Sequence, residues 1–120
     1  MHARMFALLL AVLALSALLA LQPSASAAGP IRICNEPKYP GDGYFTSLTV
    51  TGARCATGSK LAFAYYRCRI RAGGRKGRCT RPLLGYRCKE KRNAIPTEID
   101  ARVTCKRGAQ TVVHTYQQNT

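Results

Sequence analysis

Eleven arginine and lysine residues fall between Arg67 and Arg92, against a single acidic residue, Glu90. Six of them, Arg69, Arg71, Arg75, Lys76, Arg78 and Arg81, share a stretch with Gly73, Gly74 and Gly77 that has no acidic side chain and no hydrophobic period. Cationic heads on a glycine-rich backbone suit electrostatic contact with polyanions, a mode that follows charge density, reads no sequence and weakens with salt. These six are the candidate polyanion-binding residues. The matching partner is an anionic polymer or a cell-envelope surface: a wall polymer, lipid headgroups or extracellular nucleic acid. Tyr65, Tyr66 and Tyr86 flank the segment and offer rings on which bases or sugars can stack. The competing reading is a solvated face that keeps the chain soluble, with the tyrosines in the core.

Catalytic chemistry is thinly supplied. A small ribonuclease needs a carboxylate base, an arginine clamp and a histidine acid, and Glu98, Arg102 or Arg107, and His114 occur in that order. An arginine-rich chain offers such a set by chance, and a lone histidine within a strand pattern is more often an ordinary sheet residue. Gly-x-Ser-x-Gly is missing and acidic metal ligands are scarce. No catalytic residue, metal site or cofactor is therefore assigned. The alternative to a polyanion binder is a protein-binding module, such as an inhibitor of a secreted enzyme. Its contact would be the loop from Gly73 to Arg81, held rigid so that binding costs less entropy.

The chain opens with Arg4 and the terminal amine ahead of an apolar run from Phe6 to Leu21, then Pro23 and the small residues Ala25-Ser26-Ala27. That is the pattern of a signal peptide, 1–27, cleaved after Ala27. Residues 28–120 then form one secreted or extracytoplasmic domain, expected to be monomeric, whose charge favours association with the cell wall. It is too short for two cores. Only Arg4 of the 19 basic residues precedes Ala28 and all five acidic residues follow it, so the domain carries a net charge of +13. Such an excess opposes compaction and attracts polyanions.

All six cysteines, Cys34, Cys55, Cys68, Cys79, Cys88 and Cys105, lie in that domain. Successive spacings of 21, 13, 11, 9 and 17 contain no Cys-x-x-Cys, which argues against zinc and for three disulfides, each contributing about 2–4 kcal/mol. Spacing leaves the pairing open, with Cys68 and Cys79 expected to close the basic loop.

These elements must carry the charges. The lead-in from Ala28 to Gly43, with three prolines, reads as irregular. Tyr44 to Thr51 alternates as a half-buried strand. Ala56 to Cys68 reads as the one helix, with Leu61, Ala64, Tyr65 and Cys68 on a shared face and Thr57 or Ser59 as cap. Ile70 to Pro82 reads as a mobile loop. Leu84 to Lys89 and Ala101 to Lys106 alternate apolar and basic residues, and the second of these is expected to form a hairpin with Thr111 to Tyr116. The predicted fold is α+β, one helix packed on a three- or four-stranded antiparallel sheet.

Val50-Thr51-Gly52-Ala53-Arg54-Cys55-Ala56, Gly85-Tyr86-Arg87-Cys88 and Val103-Thr104-Cys105-Lys106-Arg107-Gly108 resemble the pattern of small secreted bacterial cysteine-containing proteins with no assigned activity. The resemblance implies an exported α+β domain in which cysteines tie a helix to an antiparallel sheet, and it carries over no catalytic residue. Gly58 departs from the alanine that the pattern leads one to expect early in the helix.

Overall fold

Alternating side chains govern the chain from Gly43 onward, and they build a single antiparallel sheet. The computed structural model describes residues 29–120; the leader expected over 1–27 lies outside the described residues. The strands are β1 (Ile31–Ile33), β2 (Gly43–Thr51), β3 (Arg87–Ile95), β4 (Glu98–Arg107) and β5 (Gln110–Asn119). They lie in the order β1-β2-β5-β4-β3, every pair antiparallel. Among the described residues one α-helix, α1 (Cys55–Gly73), follows β2 and packs against β2 and β5.

The α+β class holds, but the sheet has five strands rather than three or four. β1 escapes a periodicity argument because it has three residues, all exposed. β3 runs on to Ile95, paired with β4, beyond the Lys89 end that alternation marks, because Glu90 and Arg92, both polar, occupy its covered side and leave no apolar alternation to read there. The expected β4–β5 hairpin forms around Gly108, whose φ of 56° suits a tight turn. β3 and β4 are joined by a second hairpin through Pro96 and Thr97, with Ile95 opposite Glu98.

α1 buries Gly58, Leu61, Ala62, Tyr65, Cys68 and Arg69, a stripe at three- and four-residue intervals. It begins at Cys55, one residue before the expected start, and Arg54 stands at the cap position without a side-chain hydrogen bond, so neither Thr57 nor Ser59 caps it. Gly58 has a packing reason. A Cβ there would lie 2.8 Å from Val50 Cγ1 and 3.2 Å from Leu48 Cδ1, so glycine lets the helix backbone settle onto β2. The core between helix and sheet consists of Leu48, Val50, Leu61, Ala62, Tyr65, Val103, Val112 and Tyr116 with their neighbours.

Three disulfides fix the layers. Cys34–Cys55 ties the chain after β1 to the first turn of α1. Cys68–Cys79 closes the basic segment on the last turns of the helix, as expected from the sequence. Cys88–Cys105 joins two residues directly opposite each other on β3 and β4.

Candidate functional site

Because successive side chains of a strand point to opposite faces, β3 sorts its charges by parity. Cys88, Glu90 and Arg92 face the side covered by α1 and the segment after it; Arg87, Lys89 and Lys91 face the open side. The consequences on the two sides differ.

On the covered side Glu90, its side chain 4% exposed, accepts a hydrogen bond from the Tyr116 hydroxyl and pairs with Arg92 at 2.9 Å and with the more exposed Arg78 at 3.3 Å. Arg92 also donates to the carbonyls of Lys76 (2.8 Å) and Gly77 (2.7 Å). Burial opposes the Arg92 charge, but the hydrogen bond to Glu90 and the fields of Tyr116 and Glu90 hold its pKa above the ordinary value. Beside it Arg69 is fully buried. Its guanidinium donates to Arg75 O (3.0 Å), the Tyr39 hydroxyl (2.7 Å) and Gln118 Oε1 (3.3 Å), and lies 4.3 Å from the Tyr116 ring centroid. Burial pushes the Tyr39 hydroxyl up to about 12, against the opposing pull of Arg69, so it remains a neutral acceptor and donor.

This network corrects two expectations about the basic segment. Arg69 is no contact residue: it points inward from α1, and its stem and head fill the space between Tyr39, Tyr66 and Tyr116. Nor is the stretch from Ile70 a loose loop. The helix continues to Gly73 and a 3₁₀ turn spans Gly74–Lys76. Two buried guanidiniums then grip the carbonyls of Arg75, Lys76 and Gly77, and Cys79 anchors the end. Gly77 is required by close approach, since a Cβ would fall 1.9 Å from Arg69 O. The other five candidates, Arg71, Arg75, Lys76, Arg78 and Arg81, are exposed around this fixed turn, Arg78 being tied to Glu90.

On the open side, register places Arg87 beside Lys106, Lys89 beside Thr104 and Lys91 beside Arg102. These six residues line a shallow trough of about 560 Å³. Along β3 the cations repeat every second residue, roughly 7 Å apart, and the β4 row lies about 5 Å away. None of the five has an ion pair among the described residues. The carboxylates of this face are Asp100, in the row next to Lys91 and Arg102, and Glu98 at the far end of β4; neither forms an ion pair with the five cations. Toward the centre the face is lined by Thr111, Val113 and Thr115 of β5 and Ser47, Thr49 and Thr51 of β2, with Thr115 Oγ1 bonded to Ser47 and Thr46 at the β2 irregularity. Beyond them, on β1, stand Ile31 and Ile33, 73% and 84% exposed. The sequence signal for this surface was present: Arg87, Lys89 and Lys91 alternate, as do Arg102 and Lys106 with the apolar residues of β4. Charge is denser in the glycine-rich segment, and nothing in the sequence alone joins the two alternating rows into one surface.

Of the flanking tyrosines, Tyr65 and Tyr86 belong to the interior and Tyr66 is half-buried; His114 is interior too. Tyr65 and Tyr86 are each 1% exposed, and burial pushes the Tyr65 hydroxyl up to about 12. His114 lies on the covered face of β5, its ring edge-on to Phe45 and Tyr65, with no hydrogen-bond partner on either nitrogen among the described residues. Burial, reinforced by Arg69, lowers its pKa to about 4. The nuclease set is thereby divided: His114 faces the helix, while Glu98 and Arg102 project from the opposite face of the sheet. Among the described residues no group of three His, Cys, Asp or Glu is placed to hold a metal ion, and no helix is long and apolar enough to cross a membrane. No family model, curated protein or solved structure matches the chain.

Proposed function

We propose that the protein is a non-catalytic binding module, secreted, whose open sheet face contacts an anionic surface or polymer. The observation that carries this reading is the set of five cations, Arg87, Lys89, Lys91, Arg102 and Lys106, held unpaired on a pleated surface with hydroxyls beside them. A sheet fixes the spacing of such charges, so the ordering cost of binding falls mainly on the partner. Arg71, Arg75, Lys76 and Arg81 add a second positive rim on the covered side of β3 and strengthen long-range attraction.

The test compares two triple variants of equal charge loss by retention on heparin across a salt gradient. Lys89→Gln/Lys91→Gln/Arg102→Gln is expected to elute at clearly lower salt than Arg71→Gln/Arg75→Gln/Lys76→Gln. Equal elution would mean that net charge alone governs retention and that the sheet face is no site. A second reading is favoured by the grip of Arg69 and Arg92 on the turn at Arg75–Gly77: a rigid, exposed basic turn fits a protein-binding loop, and the 71/75/76 variant would then abolish capture of that partner while lowering heparin retention less than the sheet-face variant does.

A further inference from the structure

Among the described residues five large hydrophobic side chains are strongly exposed: Ile31, Ile33, Tyr44, Leu84 and Ile95. Register puts Ile31, Ile33, Tyr44 and Ile95 on the open face, the one that carries the five cations. Ile31 lies in the same cross-strand row as Thr51, Thr111, Lys106 and Arg87; Ile33 lies in the next, with Thr49, Val113, Thr104 and Lys89. From β1 to β3 such a row is four strand spacings, roughly 19 Å. Leu84 stands at the tip of the tight turn that leads into Arg87, between Leu83 and Tyr86, with a φ of 51° that branched side chains seldom adopt. One end of the face therefore combines cations at one edge, hydroxyls in the middle and apolar side chains at the other edge. The carboxylates follow on the remaining rows, Asp100 next to Arg102 and Glu98 at the far end of β4.

A soluble polyanion would use the cations and leave the isoleucines in water. A bilayer surface uses both, since headgroup phosphates attract the basic residues and the interfacial region accepts short apolar side chains. We infer that the open sheet face docks flat on an anionic lipid membrane, with Arg87, Lys89, Lys91, Arg102 and Lys106 on the headgroups and Ile31 and Ile33 entering the interface. This rests on the polyanion-binding reading and narrows its partner to a lipid surface. Charge complementarity sets the choice of anionic lipid, and the two isoleucines on the same plane set the choice of membrane over polymer.

The residues from Ala28 to Thr120 contain the whole core and all three disulfides, so this segment is used oxidised, which keeps the apolar run from Phe6 to Leu21 out of the assay. Sedimentation with vesicles of phosphatidylglycerol and phosphatidylcholine is compared with vesicles of phosphatidylcholine alone, and heparin elution is measured in parallel. Binding to the anionic vesicles only is expected. Ile31→Ser/Ile33→Ser, two exposed changes on a sheet edge, should weaken vesicle binding about tenfold or more and leave heparin elution unchanged. Lys89→Gln/Lys91→Gln/Arg102→Gln should weaken both, vesicle binding by roughly fivefold per charge. Vesicle binding indifferent to the isoleucine change overturns the membrane inference, as does heparin retention without vesicle binding; in both cases the polyanion reading stands. Failure to bind either partner overturns that reading as well.

Discussion

Lys89 and Lys91 stand on one side of β3 and Glu90 and Arg92 on the other, four consecutive charged residues with opposite environments. On the covered side, charge is local and structural: Arg92 and Arg69 hold backbone carbonyls and aromatic rings, and Glu90 balances them. On the open side the cations have no ion pair among the described residues. The lesson is that a basic segment is not one functional unit. Backbone geometry divides it, residue by residue, into groups that stabilise the fold and groups that can meet a ligand.

The division can be broken most severely at Arg69. Replacing it with alanine leaves a cavity and strips donors from Arg75 O, Tyr39 and Gln118, and we expect a loss of about 3–4 kcal/mol in denaturant unfolding of the oxidised protein. A loss below about 1 kcal/mol would mean that the guanidinium is replaceable in the core. Acid probes the same interior. His114 binds a proton near pH 6.5 when unfolded but only near pH 4 when folded, so the unfolded state takes up more protons between those values. Stability is therefore full above pH 6.5 and falls as pH drops toward 4, by about 3 kcal/mol from this group, and His114→Phe should flatten that fall in melting curves recorded from pH 7 to 4. The smallest effect is expected on the open side. Lys89→Gln, Lys91→Gln and Arg102→Gln should each change stability by no more than about 0.5 kcal/mol, although together they cut heparin retention. A large destabilisation from these three would erase the contrast between the faces.

Much of the architecture was legible in the sequence because it follows from strong periodic signals. Alternation exposed β2 and β4, β-branched content exposed β5, the uninterrupted run around Leu61 and Tyr65 exposed α1, and the position of Cys68 and Cys79 on either side of the basic loop suggested their bond. What stayed hidden depends on contacts distant in sequence. Arg69 is internal because Tyr39, Gln118 and Tyr116 supply acceptors and ring faces from remote parts of the chain. Gly73, Gly74 and Gly77 suggested mobility, yet Gly77 is there for contact with the Arg69 backbone. The sheet-face cations were individually visible, but only the β3–β4 register brings them into one patch.

The bond between Cys88 and Cys105 acquires a particular meaning from this register. It joins directly opposed residues in the strand pair that carries all five open-face cations. A slip of one residue along β3 would send Lys89 and Lys91 toward the core and bring Glu90 and Arg92 to the surface, reversing the chemical character of both faces. The disulfide forbids that slip. Besides its contribution to stability, it acts as an address lock, fixing which half of an alternating string of charges the molecule shows to its surroundings.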